Sequence, residues 1–366
     1  MQLPTAPTLK TEQLSRLFSN MSECYKLFWF QALINKVKDG KVIVSYNELI
    51  NEMIADAWYM VSEYKLNLGP ADTLEALVHY VFSTGRLKSN EKKEHIIQFL
   101  EASEDKKLIK MKKTLTGNVP YRLQAPFIDG FGGEGWRVSA KVLAEKINRE
   151  KHLIYYYLKI DGLNSQIEIR EEWAEYIEHN YQILCGWIRY NLITYLQRRN
   201  PSVPGIVNKL EPPVERQLEK VKKYWKLLIE ISPVHEIYSG QLLSVKDISI
   251  DHFVPWSYVA HDEFWNLHPT TRSINSRKSN QLPDWEKYFP LLSEIEYYSY
   301  QEMWKYEKVH KEFEKLQKEH VNNMEVRMRL YRKGLDRQEF TGSLEEVILP
   351  VYQAAQRMGF RNWVLE

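Results

Sequence analysis

Residues 246–283 read KDISIDHFVPWSYVAHDEFWNLHPTTRSINSRKSNQLP, and this stretch decides how the whole chain is read. An Asp–His pair, Asp251 and His252, is followed by Asn266, by Asn275 and by a short basic run ending at Lys278. These residue types suit one task, the holding of a hard divalent cation beside a neutral imidazole. Mg2+ takes oxygen ligands, usually one or two of them from protein, with waters and substrate phosphate completing the octahedron. Asp251 can supply a carboxylate oxygen and Asn275 an amide oxygen. An unperturbed imidazole titrates at about pH 6.5, so a histidine at position 252 can serve as a neutral general base at pH 7. Neighbouring side chains on a strand point to opposite faces. Asp251 and His252 therefore converge on one phosphate only if the strand ends there. Pro255 agrees with that ending, since proline cannot continue a ladder. Any one of these residues alone would be an ordinary turn residue; the conjunction with the framing Pro, Trp and Lys residues points to chemistry.

The runs DHFVPWS at 251–257, WNLHPT at 265–270 and NSRKSN at 275–280 carry a resemblance. They resemble HNH endonucleases of the ββα-metal type, in the DH…N…N variant of RNA-guided nucleases and many bacterial restriction and anti-phage defence nucleases. The resemblance implies a hairpin of about Leu242–His252 and Asn266–Thr270, followed by a helix from near Asn275. It implies that His252 is the general base, that Asp251 and Asn275 are the metal ligands, and that Asn266 pins the loop and orients the base. Arg272 and Lys278 are expected near phosphate. An Asn rather than a His at position 275 favours Mg2+ or Mn2+ over softer metals. Many family members also carry two CxxC knuckles around a structural zinc. This chain has two cysteines, Cys24 and Cys185, so no structural zinc is expected. Packing must hold the hairpin instead, with Phe253, Trp256, Tyr258, Phe264 and Trp265 as candidates. His268 lies where the family commonly has an apolar residue, and reads as a packing ring or an extra active-site group.

Around this module the chain reads as mainly α (α+β). With 366 residues, 44% hydrophobic and 27% charged, it can bury a sizeable core in two or three domains. Fifty basic residues face 48 acidic ones, so nucleic-acid binding needs local patches rather than a global field. The expected divisions are an N-terminal helical domain over 1–128, a helical middle region over 129–231 with a linker near 200–213, the HNH module over 232–290 and a helical region over 291–366. Helices are expected over 11–38, from a Ser45/Glu48 capping box to about 65, over 72–82 and 90–102, over 139–157 and 170–197, over 214–231, across 293–333 and over 344–358. KKLIKMKK at 106–113 reads as a basic strand that forms a winged-helix-like β-ribbon with 121–127, and glycine-rich 129–136 as a hinge, since it lacks the GK[ST] of a phosphate loop. Arg327, Arg329, Arg332, Lys333 and Arg337 form a basic cluster suited to DNA. The few cysteines suit a reducing cytoplasm, and no apolar run is long enough for a membrane helix. The expected partners are DNA, a second copy for double-strand cleavage, and an ATPase or sensor subunit of a defence system. A homing nuclease, or an HNH fold kept for binding without catalysis, are the alternatives.

Overall fold

The computed structural model describes residues 2–19, 21–70, 72–128, 136–212 and 218–366. The glycine-rich stretch 129–136, expected to be a hinge, lies outside them apart from Trp136. The protein is mainly α-helical, with three small sheets among the described residues, and it divides into two compact units. One comprises Met1–Pro201 with Leu210–Pro212, the other Ser202–Lys209 with Pro213–Glu366.

The first unit is built on the helices Tyr25–Lys38 and Tyr46–Ser62, whose buried Trp29, Tyr46 and Trp58 anchor its core. The expected single helix from Thr11 is two, Thr11–Ser15 and Tyr25–Lys38, although Leu14 and Leu17 stay buried. The capping box is formed: Glu48 N donates to Ser45 Oγ (3.2 Å) and Ser45 N to Glu48 Oε2 (2.9 Å). Asp72 caps the helix Thr73–Ser83, and Gly85 at φ +67° turns the chain out of it.

Two segments differ from expectation. KKLIKMKK is not a strand but the helix Lys106–Thr114, opened by Asp105, whose Oδ1 accepts from Lys107 N (2.8 Å) and Leu108 N (3.1 Å). Its buried positions, Leu108 and Lys112 followed by Leu115, recur at helical spacing, which the run of lysines masks. Val119–Arg122 is also helical, so the expected β-ribbon is not formed. The helix expected over 139–157 stops at Ile147, and Tyr155–Lys159 is a strand. Three consecutive tyrosines favour a pleated surface. That strand pairs antiparallel with Gln166–Ile169, which also pairs with Ile43–Ser45.

In the second unit, the helices Glu219–Ile231, Trp285–Lys305, Glu307–His320, Met324–Leu330 and Arg337–Arg357 accompany the hairpin formed by Ile248–His252 and Leu267–Thr271. The last long helix starts at a second capping box, Asp336 with Glu339, and runs through Gly342. The expected basic cluster is largely matched by carboxylates: Arg327 by Glu314, Arg329 by Glu325 and Glu346, Arg332 by Glu339 and Arg337 by Glu294. No helix among the described residues is long and apolar enough to cross a membrane.

Removing the first capping box by Ser45→Ala should cost about 1 kcal/mol. The check is a lower urea midpoint at unchanged slope.

Candidate active site

The hairpin strands pair in one register, from Ile248↔Thr271 to Asp251↔His268 and His252↔Leu267. The first strand ends at His252, where Asp251 and His252 had to be if both were to act on one phosphate. Asn266, fully buried, closes the loop beyond. Its Oδ1 accepts from Val254 N (2.7 Å), its Nδ2 donates to Val254 O (2.9 Å), and its own carbonyl accepts from Phe253 N (2.9 Å). A side-chain amide thus replaces the strand ladder where Pro255 ends it. On the other arm, Thr271 Oγ1 caps the helix Arg272–Lys278, three residues earlier than the expected start near Asn275.

Asp251 is 5% exposed and carries several neighbours. Its Oδ2 accepts from Tyr238 Oη (3.0 Å) and lies 3.1 Å from Lys278 Nζ. Lys278 is fully buried and also donates to the His252 carbonyl (2.7 Å). It is therefore directed at the end of the strand rather than at solvent, unlike the phosphate contact expected of it. Burial pulls the Lys278 ammonium below the ordinary lysine value, and the Asp251 charge opposes that pull. Arg272, at the start of the same helix, is exposed, with no carboxylate partner among the described residues.

His252 is 3% exposed, and its Nε2 lies 2.7 Å from Asp262 Oδ1. An ionised carboxylate only accepts, so Nε2 carries the proton and Nδ1 the lone pair. Asp262 is held in turn: its carbonyl accepts from His320 Nδ1 (2.7 Å) at the end of the helix Glu307–His320. Asn275 donates through Nδ2 to Ser249 Oγ (3.1 Å) and Ile250 O (3.0 Å). Both bonds use the amide nitrogen, which fixes the side chain on the first strand and leaves Oδ1 uncommitted.

His268 is fully buried opposite Asp251, with Nε2 3.7 Å from Oδ2 and neither ring nitrogen hydrogen-bonded. Burial pushes its pKa down to about 3, so the ring is neutral. It packs edge-on against Tyr238 and Phe253.

Aromatic packing surrounds the hairpin. Phe264 meets Tyr224, Trp225, Phe313 and Tyr331. Phe253 meets Trp285 and Tyr352, and Tyr258 meets Phe360. Trp256 is the one expected packer that is only partly buried. Both cysteines lie in the first unit.

Residues 235–284 match the family model described as HNH endonuclease, and this segment is accordingly an HNH endonuclease domain. HNH nucleases as a class use divalent metal ions. No curated protein and no solved structure matches the chain. Sequence reasoning missed Asp262 and Tyr238. A carboxylate in the loop between the strands was the available signal, but nothing in the sequence separates Asp262 from its neighbour Glu263.

Asn266→Ala leaves two buried Val254 groups without partners and should destabilise this unit by about 2–4 kcal/mol in denaturant melts. Lys278→Met leaves the Asp251 carboxylate buried without its cation, at a cost of about 3–5 kcal/mol at neutral pH. Adding Asp251→Asn to Lys278→Met should recover part of that loss, and a double-mutant cycle measures it.

Proposed function

We propose that the protein is a metal-dependent endonuclease that hydrolyses DNA phosphodiester bonds. The observation that carries this reading is the end of the strand Ile248–His252. There the His252 imidazole has its Nε2 paired with Asp262 Oδ1 and its Nδ1 without a partner among the described residues, next in sequence to a carboxylate. His252 Nδ1 takes the proton of the attacking water, and Asp262 steadies the imidazolium that results. Asp262 is a positioning residue, because it acts through His252. Asn266 keeps the chain folded back beyond the strand so that His252 stays at its tip. Exposed Arg272 meets a substrate phosphate with its guanidinium.

Asp251 and Asn275 would hold the metal ion. Among the described residues no group of three or more His, Cys, Asp or Glu side chains could hold a metal. A pair of oxygen donors, one of them an amide oriented through its nitrogen, suits Mg2+ or Mn2+ that keeps most of its waters. When bound there, the ion supplies charge stabilisation at the scissile phosphate and at the leaving oxygen. Lys278 and Tyr238 orient the Asp251 carboxylate, and Lys278 takes this role in place of a direct phosphate contact.

One site cuts one strand, so double-strand cleavage takes a second copy or two successive nicks. Large helical flanks around the nuclease domain fit a restriction or anti-phage defence effector in the bacterial cytoplasm, working with an ATPase or sensor subunit. A second reading is a silent HNH fold that binds nucleic acid. The contact of Lys278 with Asp251 favours it, since an ammonium already neutralises the only carboxylate assigned to the metal.

Nicking of supercoiled plasmid in Mg2+, Mn2+ or EDTA separates the two. The enzyme nicks only with metal, and His252→Ala abolishes nicking while DNA affinity stays. Metal-independent affinity with no cutting in any ion supports the silent fold. Asp262→Asn should lower the nicking rate about 10–100-fold with little change in DNA affinity, the scale on which partners that orient a functional histidine act. Single-turnover rates against binding isotherms measure that split.

A further inference from the structure

The first unit holds a cavity that the nuclease reading does not use. This cavity of about 510 Å3 is lined by Tyr25, Lys26, Asn118, Arg122 and Trp136 among others. Two of these side chains are cations, and neither has a carboxylate within 4 Å among the described residues. The one described hydrogen bond of Lys26 is a long one, from Nζ to Leu17 O (3.4 Å). Arg122 is exposed and lies over the Trp136 ring, 5.5 Å from its centroid. Glu23 also borders the cavity, but its Oε2 sits 3.4 Å from Tyr195 Oη.

Like charges sharing a partly desolvated pocket repel. Burial and then the Arg122 charge both lower the Lys26 pKa, as that repulsion requires. An anion between the two would remove the penalty. The surrounding sequence is biased the same way. Residues 106–128, KKLIKMKKTLTGNVPYRLQAPFI, carry six lysines and arginines and no carboxylate, in a chain whose overall charge is only +2. Lys106, Lys107, Lys110 and Lys113 are exposed on the helix that precedes this wall of the cavity, a field that concentrates polyanions.

We propose that this cavity binds the phosphate of a nucleotide through Arg122 and Lys26, with room beside them for the attached sugar and base. The guanidinium suits two phosphate oxygens at once, and the lysine acts as a point charge. The volume exceeds what a phosphate ion alone fills and lies in the usual range for small-ligand sites, about 300–1,000 Å3. The same chemistry fits a phosphate of a nucleic-acid strand or a free nucleotide.

The test uses the full chain carrying His252→Ala, in EDTA, so that no probe is cleaved. Binding of thymidine 5′-monophosphate, thymidine and a fluorescent oligothymidylate is followed by calorimetry and anisotropy. Binding of the monophosphate but not of thymidine assigns a free-nucleotide site. Binding of the oligonucleotide alone assigns a strand phosphate. In either case Arg122→Gln should weaken binding by about tenfold or more, and Lys26→Gln similarly. For the strand, each substitution should also reduce the slope of log affinity against log salt by about 0.7. Arg122 is exposed, so Arg122→Gln preserves the fold and decides the matter even if Lys26→Gln unfolds. Equal affinity of wild type and Arg122→Gln for both phosphate probes, no binding of either, or equal binding of thymidine, overturns the proposal.

Discussion

A single buried ammonium ties the nuclease domain together. Lys278 Nζ meets the Asp251 carboxylate and the His252 carbonyl, and so fixes the end of a helix to the end of a strand. Placing two charges in the interior is costly, and their attraction repays that cost only when further bonds complete the geometry. Tyr238 and the His252 carbonyl provide those bonds. The arrangement leaves Asp251 and His252 with little freedom: one carboxylate and one imidazole, adjacent in sequence, each held by partners from elsewhere in the fold. Asp262 does for His252 what Lys278 does for Asp251, and His320 holds Asp262 from the helix behind it.

The rest of the second unit follows from a small hairpin that could not be stable alone. Two short strands offer little apolar area, and neither of the chain's cysteines, Cys24 and Cys185, lies in this segment. Aromatic rings from the flanking segments on both sides in sequence meet those of the hairpin and its loop. Trp225 and Tyr224 precede it, Phe313 and Tyr331 follow it, and Tyr352 and Phe360 come from the C-terminal end. The helical flanks therefore do part of the structural work of the nuclease domain. Edge-to-face ring pairs add directionality to that burial, at about 0.5–1.5 kcal/mol each.

The sequence made the pairing of the hairpin legible, though its first strand begins at Ile248 and not near Leu242, and likewise the position of Asp251 and His252 at a strand end and the pinning of the loop by Asn266, because each depends on residues close together in the chain. The Ser45/Glu48 cap was legible for the same reason. The lysine-rich run at 106–113 misled, because its charge hid a helical spacing of Leu108, Lys112 and Leu115. The tyrosines at 155–157 misled in the opposite direction, being read as the end of a helix when pairing with Gln166–Ile169 makes them a strand. Asp262, Tyr238 and the burial of Lys278 were not legible. Each is set by a contact across the fold, and a lysine next to a phosphate motif reads the same in sequence whether its ammonium faces solvent or a buried carboxylate.

The proposed divalent-cation site at Asp251 and Asn275 must form although Lys278 already pairs with Asp251. Titration of the full chain with Mn2+, followed by electron paramagnetic resonance of the free ion, tests this without reference to cleavage. The account predicts saturable binding of one ion per chain, displaced by Mg2+ and lost in both Asp251→Ala and Asn275→Ala. Binding that persists unchanged in both variants, or no saturable binding by the wild-type chain, would contradict it.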